Sequence, residues 1–542
     1  MANDPGGQRA RRRAEQAEQA QAFLAGFQLP QRLHEPDQAI AHLGPTNSGK
    51  SHDAIEALAA AGEGVYAAPL RLLAREAFDK LSKRCPPGQV GLVTGQEVIN
   101  PRAPIRCCTT ELAPLRGEVL VLDEVHWVDD PDRGWAWGRQ LAACEYRQVR
   151  LVGALNAEPV LRAAFGKRLE VQRHRRLTPL EWAGPVELGA IEAGSLVVAF
   201  SRKAVLALAR DVSQASVHRV GALYGTLPPQ TRLEQIQAFV AGTLDVLCVT
   251  DVVGHGINLP ARTVVLAETS KYDGTRYRPL HIWELAQVVG RAGRFGLTEG
   301  SGYAQVLRNV TGFVANATLA RQAVEAAAGE RAAGPMISTA SIRPTLEDFA
   351  PANGWDLLSS IDTWQLAAGK VLGGHPWLRA ASLADVSATL HRLAVDGLLE
   401  KLAPAELWRL ATLPVDDPRW VSEVAAAVAD PFRRLRAVSG PTDAAAWSLE
   451  DAERVASRAR GLAALARAFP GVGGLDADQL LDVETQASSR IGAVLDQTIA
   501  DNAFGRCESC RKPCAPTSAT CQRCRGAGPR PPARKGYRGP RR

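Results

Sequence analysis

The sequence predicts an α/β fold with two tandem parallel β-sheets, followed by an all-helical region and a small basic tail. Three observations support this prediction. Short apolar runs alternate with helical stretches between residues 31 and 308, Ala- and Leu-rich helical patterns follow to about residue 503, and cysteine, proline and arginine dominate after residue 505. Alternating strands and helices are typical of parallel sheets with crossover helices. Roughly 280 residues is long for one such sheet, so two sheet domains are expected.

Short apolar runs bounded by turn residues are predicted as strands. They lie at 64–69, 118–122, 150–155, 196–200, 245–249, 263–267 and 303–307. A stretch with two prolines and several small residues, 178–194, is predicted to join the two sheets. The predicted divisions are a disordered basic arm at 1–30, sheet domains at 31–180 and 181–330, a helical domain at 331–504 and a cysteine-rich basic tail at 505–542.

Composition and charge narrow the class of protein. With 46% hydrophobic and 22% charged residues among 542, the chain resembles an ordinary globular protein. No run approaches the roughly 18 apolar residues of a membrane span, so no membrane partner is expected. Polar residues follow the N-terminal arginines, which argues against a signal peptide. A bacterial cytoplasmic location is predicted, with a mitochondrial one as the minor alternative. The net charge of +7 is concentrated in the tail.

A phosphate-binding loop is the first chemical motif. The segment from Gly44 to Ser51 matches the pattern G-x4-G-K-[ST] at every fixed position. Glycines at both ends let backbone amides curve around phosphates, while Lys50 reaches the terminal phosphates and Ser51 offers a hydroxyl to magnesium. The alternative is a chance glycine-rich turn. The predicted nucleotide-binding residues of the loop are Gly44, Pro45, Thr46, Asn47, Ser48, Gly49, Lys50 and Ser51.

A second motif follows about seventy residues later, where a buried strand ends in Asp123 and Glu124. A carboxylate at the carboxyl end of a strand can hold magnesium beside the phosphate loop. The adjacent Glu124 is then placed to orient and deprotonate the attacking water. The alternative for this pair is a solvated strand end. The spacing from the phosphate loop favours a catalytic role.

A third motif lies in the second half of the chain, where Arg291 and Arg294 are spaced three residues apart in QVVGRAGR. This spacing places both arginines on one face of a helical turn. In a closed two-domain motor they would reach the γ-phosphate, and guanidinium groups placed this way stabilise the charge of the transition state. Alone, such a stretch is more often a solvated basic face.

In order and content, these motifs resemble those of superfamily-two DExH helicases, in particular the RNA helicase of the mitochondrial degradosome and its bacterial relatives. The resemblance covers roughly residues 40–420. It rests on the segments GPTNSGKS, PLRLLAREAF, GLVTGQE, VLDEVHWVDDPDRGWAW, FSRK, YGTLPP, TDVVGHGINL and QVVGRAGRFG. It implies two RecA-like domains and ATP-driven 3′→5′ translocation on single-stranded RNA with duplex unwinding. A role in RNA turnover and an exoribonuclease partner are also implied.

The resemblance also assigns roles to individual residues. Gln287 joins the catalytic set, and Gly256 and Asn258 join the nucleotide-binding set. The family often has Gln where this chain has His126, which changes the contact available between this strand end and Gln287. Small hydroxyls and loop amides can hold a sugar–phosphate backbone without reading bases. The implied nucleic-acid contacts are Pro69, Arg71, Thr94, Gly95, Thr109, Thr110, Ser201 and Thr250.

The tail carries a possible zinc site. Cys507 and Cys510 form one C-x2-C pair, Cys521 and Cys524 form another, and ten residues separate the pairs. Four thiolates at this spacing can close a tetrahedral zinc site. The additional Cys514 could replace one of these ligands. An incidental cysteine cluster in a solubilising tail is the alternative.

Three functions are compatible with these motifs. The first is an RNA helicase that uses ATP and magnesium on single-stranded or partly duplex RNA. The second is a DNA helicase or translocase, because the motifs do not distinguish the sugar. The third is a non-catalytic RNA-binding scaffold. The intact set of Lys50, Asp123, Glu124, Arg291 and Arg294 argues against loss of catalysis.

Overall fold

The computed structural model describes most of the chain between residues 31 and 500. The described residues are 18, 31–95, 97–250, 259, 261–272, 276–293, 300–308, 313–329, 334–349, 357–413, 418–430, 432–435, 438, 448–500, 505–506 and 513–514. Among the helices of these segments, none combines the length and the apolar character of a membrane span. Apart from residue 18, the predicted arm at 1–30 lies outside the described residues.

The first sheet contains eight strands in the order β4-β3-β5-β2-β6-β7-β1-β8, all parallel except for the β3–β4 pair. Its strands are β1 (Gln38–Leu43), β2 (Gly64–Ala68), β3 (Val90–Val93), β4 (Val98–Ile99), β5 (Ile105–Thr109), β6 (Arg116–Leu122), β7 (Glu145–Gly153) and β8 (Leu169–Arg173). The crossover helices are α1 (Lys50–Ala61), α2 (Arg71–Ser82), α3 (Gly134–Ala143) and α4 (Glu158–Phe165). The central strands are apolar along their length because helices cover both faces of the sheet.

The second sheet contains six parallel strands in the order β11-β12-β10-β13-β16-β9. Its strands are β9 (Leu180–Val186), β10 (Ser195–Val198), β11 (Val220–Leu223), β12 (Val246–Val249), β13 (Thr263–Leu266) and β16 (Gly302–Leu307). A small antiparallel hairpin is formed by β14 (Ser270–Tyr272) and β15 (Tyr277–Pro279). The helices are α5 (Arg202–Ala215), α6 (Pro229–Val240), α7 (Ile282–Val289) and α8 (Phe313–Ala328).

The third region is helical. Its helices are α9 (Leu346–Phe349), α10 (Leu357–Val371), α11 (Ala384–Val395), α12 (Pro404–Thr412), α13 (Pro418–Ala429), α14 (Leu449–Ala468) and α15 (Ala477–Ala500). They enclose a core of their own, in which Trp364, Leu390 and Leu407 are buried. Two RecA-like parallel-sheet domains followed by a helical region therefore form the fold, as the sequence predicts.

The helical region contacts both sheet domains. A two-stranded parallel sheet of β17 (Ala340–Ile342) and β18 (Leu378–Ala380) packs on α3 of the first domain. The approach is so close that a Cβ at Gly138 would overlap with the carbonyl oxygen of Ser341. At the other end, α14 and α15 bury Ala456 and Ile491 in the core of the second domain. The region therefore bridges the two sheets.

Two details differ from the sequence prediction, and a third prediction, the zinc-binding tail, is not tested by the described residues. The predicted connecting stretch 178–194 contains β9, an edge strand of the second sheet in which Pro185 is tolerated because one side lacks a neighbouring strand. The region predicted as all-helical also contains β17 and β18. In the tail, the structure describes only the antiparallel pairing of β19 (Gly505–Arg506) with β20 (Pro513–Cys514). A zinc-binding tail is therefore not shown.

Candidate nucleotide cleft and nucleic-acid interface

The predicted phosphate loop connects β1 to α1 at the carboxyl edge of the first sheet. Gly49 has a φ of 79°, in the left-handed region that favours glycine. At Gly44 the limit is space, because a Cβ there would lie 2.6 Å from the carbonyl oxygen of His174. The loop conformation therefore depends on both glycines. It places the N-terminus of a twelve-residue helix at the cleft, where backbone N–H groups favour an anion.

The polar side chains of the loop fit a phosphate ligand. Lys50 is only 8% exposed, and its Nζ donates to the carbonyl oxygen of Pro45 at 2.9 Å. The hydroxyls of Thr46 and Ser48 are buried and have no hydrogen-bond partner in the described part of the chain. Leaving a buried hydroxyl unsatisfied costs about 1–3 kcal/mol. These donors are therefore suited to a bound triphosphate, and Ser51 lines the same space.

Asp123 follows β6 and is buried at the floor of the cleft. The hydroxyl of Tyr66 donates to Asp123 Oδ2 at 2.5 Å, and Trp137 Nε1 donates to the Asp123 carbonyl at 3.0 Å. Burial, together with the neighbouring charge of Glu124, raises the pKa of Asp123 to about 7, although the hydrogen bond from Tyr66 opposes the shift. A cation beside this carboxylate would offset the burial cost, so Asp123 fits the role of a magnesium ligand.

Glu124 adopts a left-handed backbone conformation with a φ of 46°. Its backbone N–H donates to Asp123 Oδ1 at 2.9 Å, and a short 3-10 turn, Val125–Asp129, follows it. A non-glycine residue in this region costs about 1–3 kcal/mol and is common at functional sites. The conformation turns the carboxylate of Glu124 into the cleft instead of continuing the strand.

His126 joins the two sheet domains. The side-chain amide nitrogen of Gln287, on α7, lies 2.8 Å from His126 Nε2 and donates to it. The remaining ring nitrogen, Nδ1, then carries the proton and lies 3.4 Å from Glu124 Oε2. Histidine therefore makes a direct contact with Gln287 at a position where related helicases often have glutamine.

The second domain contributes Arg291, which is buried and lines the same space as Lys50 and Glu124. The adjacent Gly290 lies against the phosphate loop, and a Cβ there would overlap with Thr46 Oγ1. This close approach sets Arg291 opposite the loop. Three predicted residues, Arg294, Gly256 and Asn258, lie outside the described residues.

Sequence reasoning missed a set of contacts that fixes the two domains together. Arg176 Nη1 donates to the carbonyl oxygens of Thr46 at 3.2 Å and Gly290 at 2.8 Å. Asn47 Nδ2 donates to Thr178 Oγ1 at 2.7 Å and to the carbonyl oxygen of Gly293 at 2.9 Å. The connecting segment thus holds the phosphate loop against the arginine motif. No spacing pattern marks Arg176, since its partners are backbone carbonyls.

The phosphate loop and the carboxylates of the first domain meet Arg291 of the second domain in one open cleft of about 510 Å³. We call it the nucleotide cleft, and its lining includes the phosphate loop, Asp123, Glu124, Gly290 and Arg291. A phosphate loop, a buried strand-end carboxylate and an arginine from a second parallel-sheet domain define a class. The chain has the architecture of a two-domain, nucleotide-dependent motor.

Comparison with known proteins narrows this class. Residues 30–174 match the DEXQ-box helicase domain of Suv3, and residues 187–296 match the helicase conserved C-terminal domain. Over 281 residues the chain is 37% identical to the mitochondrial ATP-dependent RNA helicase SUV3 of Saccharomyces paradoxus. It is 37% identical over 273 residues to SUV3L of Oryza sativa subsp. japonica, and 33% identical over 285 residues to SUPV3L1 of Mus musculus. Residues 30–174 and 187–296 therefore resemble the two helicase domains of Suv3-type RNA helicases.

These alignments cover part of each protein. They include 48%, 48% and 49% of this chain, and 37%, 36% and 36% of the yeast, rice and mouse relatives. The chain therefore spans well under half the length of these relatives. All three are mitochondrial proteins, so the prediction of a bacterial cytoplasmic location is contradicted. The relatives point instead to the mitochondrial location, which the sequence analysis gave as the minor alternative.

The predicted nucleic-acid contacts in the first domain follow the carboxyl ends of three neighbouring strands. Pro69 and Arg71 follow β2, Thr94 and Gly95 follow β3, and the pair 109–110 ends β5. A Cβ at Gly95 would lie 3.5 Å from Arg71 Nη2, so these two segments are adjacent. The structure therefore brings this set to one edge of the sheet, as parallel topology requires.

Not every predicted hydroxyl is available for a ligand. Thr110 Oγ1 donates to the carbonyl oxygen of Ala68 at 3.1 Å, and Ser201 Oγ caps α5 by accepting from the Ala204 N–H at 3.1 Å. Thr250 follows β12, and its buried hydroxyl has no hydrogen-bond partner within the described segments. Thr250 is therefore the better candidate of the two second-domain residues.

The four predicted zinc ligands lie outside the described residues. They are Cys507, Cys510, Cys521 and Cys524. The additional candidate, Cys514, ends the short strand β20.

Proposed function

We propose that the chain is an ATP-dependent RNA helicase that translocates 3′→5′ on single-stranded RNA, unwinds duplexes and acts in RNA turnover. The observation that carries this proposal is the nucleotide cleft, in which Lys50, Glu124 and Arg291 come from two domains and share one space. RNA as the substrate is supported by the curated relatives, which are RNA helicases. Direction and biological role rest on the resemblance alone.

Each cleft residue has a chemical task in this proposal. The loop amides and Lys50 bind the β- and γ-phosphates, while Ser51 and Asp123 hold magnesium, which supplies charge neutralisation at the phosphates. Glu124 orients the attacking water and accepts its proton. Arg291 stabilises the charge that develops on the transferred phosphoryl group, with Arg294, Gly256 and Asn258 proposed to assist.

His126 is proposed to link ATP hydrolysis to closure of the nucleotide cleft, because it contacts Gln287 of the second domain. Gln287 fixes the proton on His126 Nδ1 by donating to Nε2, and Nδ1 lies 3.4 Å from Glu124 Oε2. We propose that this contact orients Glu124 once the second domain is in place. Hydrolysis is then linked to the relative position of the domains, and a motor needs such a link to convert hydrolysis into movement.

One assay tests the proposed function. ATPase rates are measured without polymer, with single-stranded RNA and with single-stranded DNA of the same length. We expect stimulation by RNA well above that by DNA, together with release of a labelled strand from a duplex that has a 3′ overhang. Equal stimulation by both polymers would favour the DNA helicase alternative. No hydrolysis under any condition would favour the non-catalytic scaffold.

We also propose that the tail binds zinc through Cys507, Cys510, Cys521 and Cys524, and that the protein acts with an exoribonuclease. The β19–β20 pairing supports the zinc site, because it brings together the chain on either side of residues 507–512. Four thiolates form a tetrahedral donor set typical of structural zinc. Metal content of the purified full chain, compared with that of a Cys507→Ser, Cys510→Ser variant, tests this site. Equal zinc content in both would exclude it.

The division into domains at 1–30, 31–180, 181–330, 331–504 and 505–542 remains a proposal. Limited proteolysis of the full chain tests it, since cleavage between domains is favoured where few contacts cross.

A further inference from the structure

Three arginines from the three regions of the fold lie near one another. Arg71 begins α2 of the first domain, Arg232 lies on α6 of the second domain, and Arg460 lies on α14 of the helical region. We call this set the arginine cluster. Burial lowers the pKa of Arg71, and the charge of Arg460 lowers it further. Burial, together with the charges of Arg460 and Arg71, lowers the pKa of Arg232 to about 10.

Contacts between the regions hold these arginines in place. Leu72, next to Arg71, packs against the core that the second domain shares with α14 and α15. Thr231 Oγ1, next to Arg232, donates to the carbonyl oxygen of Ser488 on α15 at 3.1 Å. One turn before Ser488, Glu484 accepts from Arg460 Nε at 2.8 Å. The cluster therefore lies where all three regions meet.

The arginine cluster has more positive charge than its surroundings neutralise. Glu484 pairs with Arg460, and the other nearby acid, Glu111, pairs with Arg133 at 2.7 Å. Among the described residues, neither Arg71 nor Arg232 forms an ion pair. Arg460 Nη2 is buried without a hydrogen-bond partner in the same part of the chain. Arg232 donates to the carbonyl oxygens of Leu227 at 2.7 Å and Gly225 at 2.8 Å, which are neutral acceptors that leave its charge without a counter-ion. Grouped like charges without counter-ions are unfavourable unless an anion binds to them.

The position of the arginine cluster indicates which anion binds to it. Arg71 lies beside Gly95, at the edge of the first sheet where the predicted nucleic-acid contacts gather. Guanidinium groups bind phosphates through paired N–H donors, and a strand of RNA presents phosphates at regular intervals. We propose that Arg71, Arg232 and Arg460 together bind the RNA backbone, so that the helical region supplies one side of the RNA site. This inference rests on the proposed function.

Glu484 gives the inference a distinctive consequence. Its carboxylate forms an ion pair with Arg460 in the absence of RNA, so it competes with phosphate for the same guanidinium. Removing that charge should therefore strengthen RNA binding. If the Arg460–Glu484 pair only stabilised the packing of α14 on α15, removal of either partner would lower stability and leave the dependence of RNA affinity on salt unchanged.

The test measures binding of a labelled single-stranded oligouridine RNA to the full chain by fluorescence anisotropy across a range of salt concentrations. Arg460→Ala should weaken affinity about three- to tenfold and reduce the slope of log affinity against log salt by about 0.7, the value for one phosphate contact on a single strand. Glu484→Gln should tighten binding a few-fold. Arg454→Ala is the matched control, because Arg454 lies on the same helix but is 72% exposed.

The outcomes separate this inference from the proposed function. If the wild-type chain has no affinity for RNA, the proposed function fails. If the wild-type chain binds RNA and Arg460→Ala keeps both its affinity and its salt slope, this inference alone is overturned. Should Arg460→Ala fail to fold, Glu484→Gln decides the matter, because unchanged or weaker RNA binding by that variant contradicts the competition.

Discussion

The nucleotide cleft and the arginine cluster are both suited to phosphates but are built in different ways. In the cleft, most donors are backbone amides of one loop, and Gly44 and Gly49 are needed so that the backbone can approach closely. In the cluster, every donor is a long side chain, and each arginine comes from a different region of the fold. The first site is complete in its phosphate-binding part within one domain. The second exists only when three regions are assembled.

This difference has an energetic meaning. The cleft is prepared for its ligand, because Tyr66 and Trp137 hold Asp123 and the loop is fixed by its glycines. The cluster brings like charges together, so assembly of the three regions is opposed until an anion binds. Nucleotide affinity should therefore depend mainly on the first domain, whereas RNA affinity should report on the arrangement of all three regions.

The largest effect is expected in the cleft. Lys50→Ala and Glu124→Gln should each reduce the ATPase rate by at least two orders of magnitude, because one loses the phosphate clamp and the other the proton acceptor. RNA affinity without nucleotide should stay within about twofold, since neither residue belongs to the cluster. Steady-state ATPase and RNA anisotropy measure the two quantities.

The controls for these substitutions are Lys167→Ala and Glu63→Gln, which change two exposed residues of the same domain. Near-wild-type ATP turnover in either cleft variant would contradict the catalytic role assigned to the substituted residue. A large loss of RNA affinity in both would break the separation between the cleft and the cluster.

A smaller effect is expected on the second-domain side of the cleft. Arg291→Ala should lower turnover by roughly one to two orders of magnitude and nucleotide affinity by much less, because its charge acts on the transition state. Nucleotide affinity and maximal rate are measured separately, with Arg308→Ala, an exposed site in the same domain, as the control. Lost affinity with an unchanged maximal rate would place Arg291 in ground-state binding.

A substitution in the segment that connects the two sheet domains should cause an intermediate loss of ATP turnover. Arg176→Ala removes hydrogen bonds to the carbonyl oxygens of Thr46 and Gly290, so the second domain is held less firmly over the cleft. Turnover should fall about tenfold while nucleotide affinity changes less than threefold. Arg175→Ala removes an adjacent exposed charge and is the matched control. Equal effects of the two variants would mean that only the local charge matters.

The smallest effect is expected from the tail. Removing residues 505–542 should weaken RNA binding a few-fold and reduce the salt slope by about 0.7 for each lost phosphate contact. ATPase turnover at saturating RNA should change little, because the cleft and the cluster remain. A truncated protein with the full-length salt slope would show that the tail's arginines contact no phosphates.

The sequence predicted the parts of the site that one segment can encode. A phosphate loop requires glycine at fixed positions, so residues 44–51 were recognisable, as were the apolar strand before Asp123 and the pattern around Arg291. The structure places these segments in one cleft, and their individual roles remain predictions. Among the strands, β6 and β13 were predicted because they are continuous apolar runs.

Contacts between distant segments were not predictable in the same way. Arg176 reaches Gly290 and Arg460 reaches Glu484 only after the chain has folded, and neither pair has a characteristic spacing. Similarly, β5 was missed because Arg106 interrupts its short apolar run, and β9 was missed because a proline and a glycine lie within it. These strands and contacts depend on tertiary packing, which local sequence patterns do not encode.

The attachment of the helical region to both sheet domains has a mechanical consequence. Because β17 is packed on α3 so closely that Gly138 has no room for a side chain, and α14 and α15 share a core with the second sheet, the three bodies form a closed ring. In a ring, one joint cannot rotate alone. Opening of the nucleotide cleft therefore requires a matching change at the two interfaces where the helical region contacts the sheet domains.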